Sequence, residues 1–251
     1  MKPAITRVST LTGLHWLYLG VSTLRHRPWT FFPLVVLQTF QIALSRRLGP
    51  AADSLLMGLA PFFSLAVILT AAWASANPQI GPDTQRRADG RKWLRPMLAL
   101  GALYALINYL VGPLVYLTLF YSGLDWPEVV YELSAHAATA LNLLLAPTPW
   151  LIHRYGVSAT AALGLIAAAY LRNWRAFALF ILGTVGIAVL LLMAVISAAM
   201  VLKLADIKFV ALEVKLQIAV QVWFMVLLVS NFFMLRDSFA AKSPESGLRT
   251  A

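Results

Sequence analysis

The chain contains no cysteine, which excludes disulfides, thiolate metal sites and a cysteine nucleophile, and removes cysteine usage as a guide to redox compartment. Charge is scarce as well. Only 12% of the 251 residues are Asp, Glu, Lys or Arg, against about a quarter in a water-soluble domain. Acids are scarcer than bases, 10 against 20. No Asp, Glu, Lys or Arg falls near the centre of any long apolar run. A charge there would cost at least ~2.5 kcal/mol in a bilayer and would mark a proton path or voltage sensor, so neither function is expected. There is no phosphate-binding glycine loop ending in Lys-Ser/Thr, no His-Glu-x-x-His pair and no nucleophile elbow.

What fills the chain instead is apolar surface. Hydrophobic residues make up 60% and the mean hydropathy is +0.76, so much of the surface is expected to face lipid. The net charge of +10 then reads as the Lys and Arg excess that holds cytoplasmic loops inside, and no nucleic-acid partner is expected. Six apolar stretches, at about 29–45, 55–76, 96–121, 129–152, 174–200 and 214–235, approach or exceed the length needed to cross about 30 Å of hydrocarbon. The predicted fold class is all-α: a polytopic membrane helix bundle of about six transmembrane helices in three hairpins, forming a single domain over 1–236. A polar tail, 237–251, is expected to be disordered.

Orientation follows from the bases. With a cytoplasmic amino terminus, fifteen Lys and Arg lie on the inside and five on the outside. Both termini are therefore expected in the cytoplasm, with a bacterial inner membrane as the location. The outer loop with Asp125 and Glu128 carries no base.

Two further helices are predicted at the cytoplasmic interface, over 8–25 and 158–171. In the first, Leu14, Leu17, Val21 and Leu24 recur at helical spacing between basic ends, with Trp16 and Tyr18 suited to headgroup depth. Packing of this helix on the bundle is the alternative. It resembles a signal peptide, but His15, two glycines, the lack of a small-x-small site and the stop at Arg25, His26 and Arg27 predict that it is retained. Pro61 and Gly112-Pro113 fall in mid-span and predict kinks.

A basic, aromatic junction precedes each odd-numbered span: Leu-Arg-His-Arg-Pro-Trp at 24–29, Arg-Lys-Trp-Leu-Arg-Pro at 91–96 and Tyr-Leu-Arg-Asn-Trp-Arg at 170–175. The segment from Thr148-Pro-Trp-Leu-Ile-His-Arg-Tyr-Gly through Tyr170-Leu-Arg-Asn-Trp-Arg-Ala-Phe resembles an uncharacterised family of proteobacterial six-helix inner-membrane proteins. There a span ends in an aromatic and small-residue segment, an amphipathic helix follows, and an Arg-Asn-Trp junction opens the next span. The resemblance is specific over 148–177. More loosely, the layout is similar to the membrane domain of glycerophosphodiester phosphodiesterases, although the chain has no room for their catalytic barrel. The resemblance implies fold and location, and brings no catalytic residues.

Candidate chemistry is sparse. Glu132 and His136 are four residues apart on one helical face and could share a proton, but two ligands are too few for structural zinc, and neither metal nor cofactor is expected. Asp89-Gly90-Arg91 matches a fragment of the phosphatidyl-alcohol transferase signature without its further aspartates. Intramembrane polar residues comprise Gln38 with Gln41, Gln217 with Gln221, and Asn108, Asn142 and Asn231 singly. They either line a path for a polar substrate or bond between helices, helped by small residues such as Gly183 and Gly186. Arg25, Arg27, Arg91, Lys92, Arg95, Arg172 and Arg175 predict a Trp-edged basic rim that attracts anionic lipid. The expected function is a non-enzymatic accessory or scaffolding subunit, with membrane lipids and a membrane protein or second copy as partners. The alternatives are a small transporter or lipid-handling protein, or a metal-dependent membrane enzyme.

Overall fold

The computed structural model describes residues 5–48, 56–75, 90–121, 137–138, 141–204 and 210–239; these are helical apart from turns, short links and an extended amino-terminal segment, with no strand among them. By composition and length, Trp93–Val115 and Ala219–Ser238 are each capable of crossing a membrane, and Ala159–Arg172 with Trp174–Leu190 would be a third if that bent pair counted as one span. Helices cover the expected spans at 29–45, 55–76, 96–121, 174–200 and 214–235 in whole or part, while most of 129–152 lies outside the described residues. The chain divides into two units, one built on Val36–Ala167 and the other on Pro3–Val35 with Ala168–Ala251.

In the second unit α1 (Thr12–His26) packs on α7 (Trp174–Leu204) and α8 (Val210–Ser238). The helix α1 opens after a turn in which the Ser9 carbonyl accepts from the Thr12 N–H at 3.2 Å. It stops because Pro28 bars the helical conformation at Arg27, which sits at φ −135°. Pro28 in turn suits the first position of α2 (Pro28–Leu48), where no N–H is needed. The buried residues Gly13, Trp16, Leu17 and Gly20 share one face of α1. A Cβ on Gly13 would strike the Ala176 carbonyl, and one on Gly20 would strike Ser230 Oγ and lie 2.9 Å from the Val226 carbonyl oxygen. Gly183 is approached as closely by Leu14 and Leu17, whereas Gly186 faces open space.

Of the two expectations for 8–25, an interfacial helix and a helix packed on the bundle, this packing is the kind the second describes. Leu17 turns into the protein, as does Trp16, which is fully buried and donates its indole N–H to Asp237 at 3.0 Å. The glycines let two backbones close on this face, which leaves Leu11, Leu14, Tyr18 and Val21 exposed on another. The tail also begins later than expected. Asp237 and Ser238 complete α8, and Phe239 is buried after it. Along α8 every residue from Met225 to Leu235 is buried, as expected of a helix apolar on all sides.

The Val36–Ala167 unit packs α3 (Ala60–Ser75), α4 (Gly90–Tyr121) and α5 (Thr148–Tyr155) against one another. Pro61 lies in the first turn of α3, where its missing N–H has no consequence, so the predicted kink there is not needed. Pro113 is inside α4 as expected, and so is Pro96, because α4 starts six residues earlier than the span did. The fourth expected span breaks at Ala146–Pro147, before α5, since proline cannot donate to a continuing helix. Gly156 closes α5 in the left-handed region, φ +63°, returning its N–H to the Ile152 carbonyl at 2.9 Å. Ser158 then caps α6 (Ala159–Arg172), accepting the Ala161 N–H at 3.3 Å.

Candidate functional site

At Asn173 the chain turns through 89° between α6 and α7. The buried Asn173 carboxamide occupies this corner and serves as a bonding partner for the amino-terminal segment. Its Oδ1 accepts the Val8 N–H and its Nδ2 donates to the Thr6 carbonyl, each at 3.0 Å. Nδ2 also lies 3.5 Å from Ser238 Oγ, and the Thr6 N–H donates to the Ser238 carbonyl at 2.8 Å. Three distant stretches of sequence are thereby tied at one point. Arg7, between the two bonded peptides, is placed next to Arg172 and Arg175.

These three arginines line a cavity of about 160 Å³ with Ser9, Thr10 and the first residues of α7. Among the described residues no acidic one lines it. The nearby Asp237 is committed to the Trp16 indole and to Arg236 Nε, the latter at 2.9 Å. Among the described residues no carboxylate pairs with Arg7, Arg172 or Arg175, and Arg175 lies 5.5 Å from the centre of the Trp174 ring. The cleft therefore combines concentrated positive charge with hydroxyl donors and a helix amino terminus, a combination suited to an anion.

Of the predicted rim, Arg172 and Arg175 come together here, and Arg25 and Arg27 are exposed in the same unit without lining the cavity. Arg95 is exposed in the other unit, and the side chains of Arg91 and Lys92 lie outside the described set. Arg7, Ser9, Thr10 and Asn173 were missed. In the sequence Arg7 reads only as one of the bases before the first helix, and nothing there brings position 7 beside 172. The Arg-Asn-Trp junction was the available signal, with Asn173 read as part of a boundary rather than as a bonding centre.

The intramembrane amides divide. Asn108 and Asn142, read as single, face each other with both amide contacts at 3.5 Å; Asn108 also donates to the Tyr104 carbonyl at 2.8 Å, and Tyr104 OH reaches the Asn142 carbonyl at 3.4 Å. Gln41 donates to the Leu56 carbonyl at 3.3 Å. Gln38 and Gln221 are buried, each with Oε1 lacking a partner among the described residues, and Asn231 is buried. The side chain of Gln217 and all of Glu132 and His136 lie outside the described set.

A second cluster gathers where α5 meets α3 and α4. His153 meets Trp93 edge-on at 6.0 Å, Trp93 meets Phe62 at 6.4 Å, and Arg154 lies 6.0 Å from the Trp150 ring centre. Burial holds His153 below the ordinary imidazole range, and the Arg154 charge pushes the same way. Burial raises the Tyr155 phenol, with Arg154 opposing.

Fold and site together define an all-helical bundle with two or three helices capable of crossing a membrane and an arginine-lined cleft at the start of a long helix. Comparison of the chain with protein-family models, with curated proteins and with solved structures finds no match.

Proposed function

We propose that this chain is a multi-pass protein of the bacterial inner membrane, with both termini cytoplasmic, that holds anionic lipid at a basic rim and serves as a non-enzymatic accessory or scaffolding subunit. One observation carries the lipid-binding part: the cleft of Arg7, Arg172 and Arg175 is lined also by exposed Trp174, and exposed Leu171 precedes Arg172 in the chain. Cationic side chains beside exposed apolar ones suit the boundary between headgroups and hydrocarbon. The scaffolding part draws on apolar faces such as Leu11, Leu14, Tyr18 and Val21 of α1, which are open to lipid or to a partner helix. The resemblance of 148–177 to the six-helix inner-membrane family is in keeping with this location.

Native mass spectrometry of the protein released from its own membrane tests both parts. Retained anionic lipid together with a stoichiometric membrane protein or a second copy is the expected result. Release free of lipid and partner would overturn it. A carboxyl-terminal alkaline phosphatase fusion should be inactive, and an active one would place that terminus outside.

A second reading, a small transporter or lipid-handling protein, is favoured by the Gln38 and Gln221 oxygens, which have no partner among the described residues, since buried polar atoms without partners are rare. Changing Gln38 and Gln221 to Leu should leave a scaffold assembled and would abolish movement of a polar solute.

A further inference from the structure

We infer that the Arg7–Arg172–Arg175 cleft recognises a terminal phosphate, the phosphomonoester of a lipid headgroup, resting on the lipid-binding function proposed above and narrowing it to one chemical class. Charge selects the class. Three arginines line the cavity, with no carboxylate among the described residues that line it. A phosphodiester brings one negative charge and leaves most of that field unmet, whereas a phosphomonoester brings roughly −1.5 to −2 and three acceptor oxygens. Arginine's planar fork matches such oxygens in pairs.

The backbone adds donors that the protein itself leaves open. Trp174, Arg175 and Ala176 line the cleft at the first turn of α7, where N–H groups have no acceptor within the helix. The first N–H to bond back is that of Phe177, to the Asn173 carbonyl at 3.0 Å. An asparagine just before a helix ordinarily caps it by accepting an N–H from the first turn. Here the Asn173 carboxamide is turned instead to Thr6 and Val8. One side chain thus declines the cap and fixes Arg7 over the uncapped turn. Ser9 and Thr10 follow on the same segment and add hydroxyls to the lining.

The border favours a lipid as the source of the phosphate. The cavity, about 160 Å³, has room for a phosphate group. Trp174 in the lining is 59% exposed, and Leu11 and Leu171, next in sequence to the lining residues Thr10 and Arg172, are 72% and 77% exposed. Such residues suit the glycerol and first methylenes of an acyl chain and have no role with a freely soluble phosphate.

The test uses the full chain in detergent micelles, with native mass spectrometry of added phosphatidic acid and phosphatidylglycerol of identical acyl chains. Phosphatidic acid should be retained about fivefold or more over phosphatidylglycerol. Arg7→Gln and Arg175→Gln should each weaken its retention about fivefold or more, at least the effect of one arginine beside an anionic headgroup, and weaken phosphatidylglycerol less, so that the preference between the two lipids shrinks. Both arginines are exposed, so folding should survive, and a melting curve checks it. Arg7→Lys, which keeps charge but loses the fork, should fall between. The preference should shrink as pH drops through about 6, where a phosphomonoester loses its second charge. Displacement of the lipid by millimolar glycerol 3-phosphate would keep the phosphomonoester site and assign it a soluble ligand. Equal retention of both lipids, insensitive to Arg7 and Arg175, overturns the terminal-phosphate site while the rim stands. Retention of neither lipid overturns both.

Discussion

Around α1 glycines form the closest helix contacts, Gly13 against the Ala176 backbone, Gly20 against the Val226 carbonyl and the Ser230 side chain, and Gly183 under the side chains of Leu14 and Leu17. In the Val36–Ala167 unit one comparable approach is described, Gly101 to the Gly58 carbonyl, where a Cβ would lie 2.5 Å away. There the chain also uses side chains as links: Asn108 with Asn142, Gln41 with the Leu56 carbonyl, and Trp93 between Phe62 and His153. Glycine contacts allow no slack, because backbone cannot rotate away. Amide and aromatic links leave room to adjust. The arginine cleft lies in the tightly packed unit, where it is held by Asn173 rather than by neighbouring charges.

The sharpest break in this contrast should come at the glycines. Gly13→Leu and Gly20→Leu should each destabilise by about 1–3 kcal/mol or prevent folding, read by thermal melting in detergent. Gly186→Ala, on the same helix as Gly183 but with nothing within 4 Å, should be neutral or stabilise by up to about 1 kcal/mol. Equal effects at Gly13 and Gly186 would dismiss close approach as the organising feature.

Next in size are the bonds that close the same unit. Asp237→Ala strands the buried Trp16 indole N–H and should cost about 1–3 kcal/mol. Asn173→Ala should release the Val8 amide to rapid hydrogen exchange and weaken anion retention, even though Asn173 carries no charge. Slow exchange at Val8 in that variant would break the link between Asn173 and Arg7.

In the other unit the expected effects are smaller. A double-mutant cycle on Asn108→Leu and Asn142→Leu should give a coupling of about 0.6 kcal/mol, the usual worth of such pairs between membrane helices. A coupling of several kcal/mol would show that amides can bind as firmly as the glycine contacts. Last comes pH. With His153 held below its ordinary value of 6.5, the unfolded chain binds the proton more readily. Stability should therefore fall as pH drops below about 6.5 and be level above it. His153→Phe should flatten that slope in a melting series, and an unchanged slope would assign it to other groups.

Helix positions were legible because apolar length and proline are one-dimensional signals. The expected spans at 96–121, 174–200 and 214–235 lie within α4, α7 and α8. The face that α1 buries was not legible because hydrophobic spacing marks Leu14, Leu17, Val21 and Leu24, whereas the tightest approach uses Gly13 and Gly20, which have no side chain. Trp16 was placed at headgroup depth for the same reason, its partner Asp237 being 221 residues away and assigned to a tail.

Composition and the spacing of apolar runs, by themselves, determined that this chain is helical, where most of its helices run and which residues carry its positive charge, since those follow from local backbone chemistry and the cost of burying charge. Tertiary structure alone decided which arginines share a cleft. Arg7, Arg172 and Arg175 meet because one asparagine bonds the start of the chain to a corner 165 residues away, and a contact at that separation leaves no periodic trace in the sequence around either end.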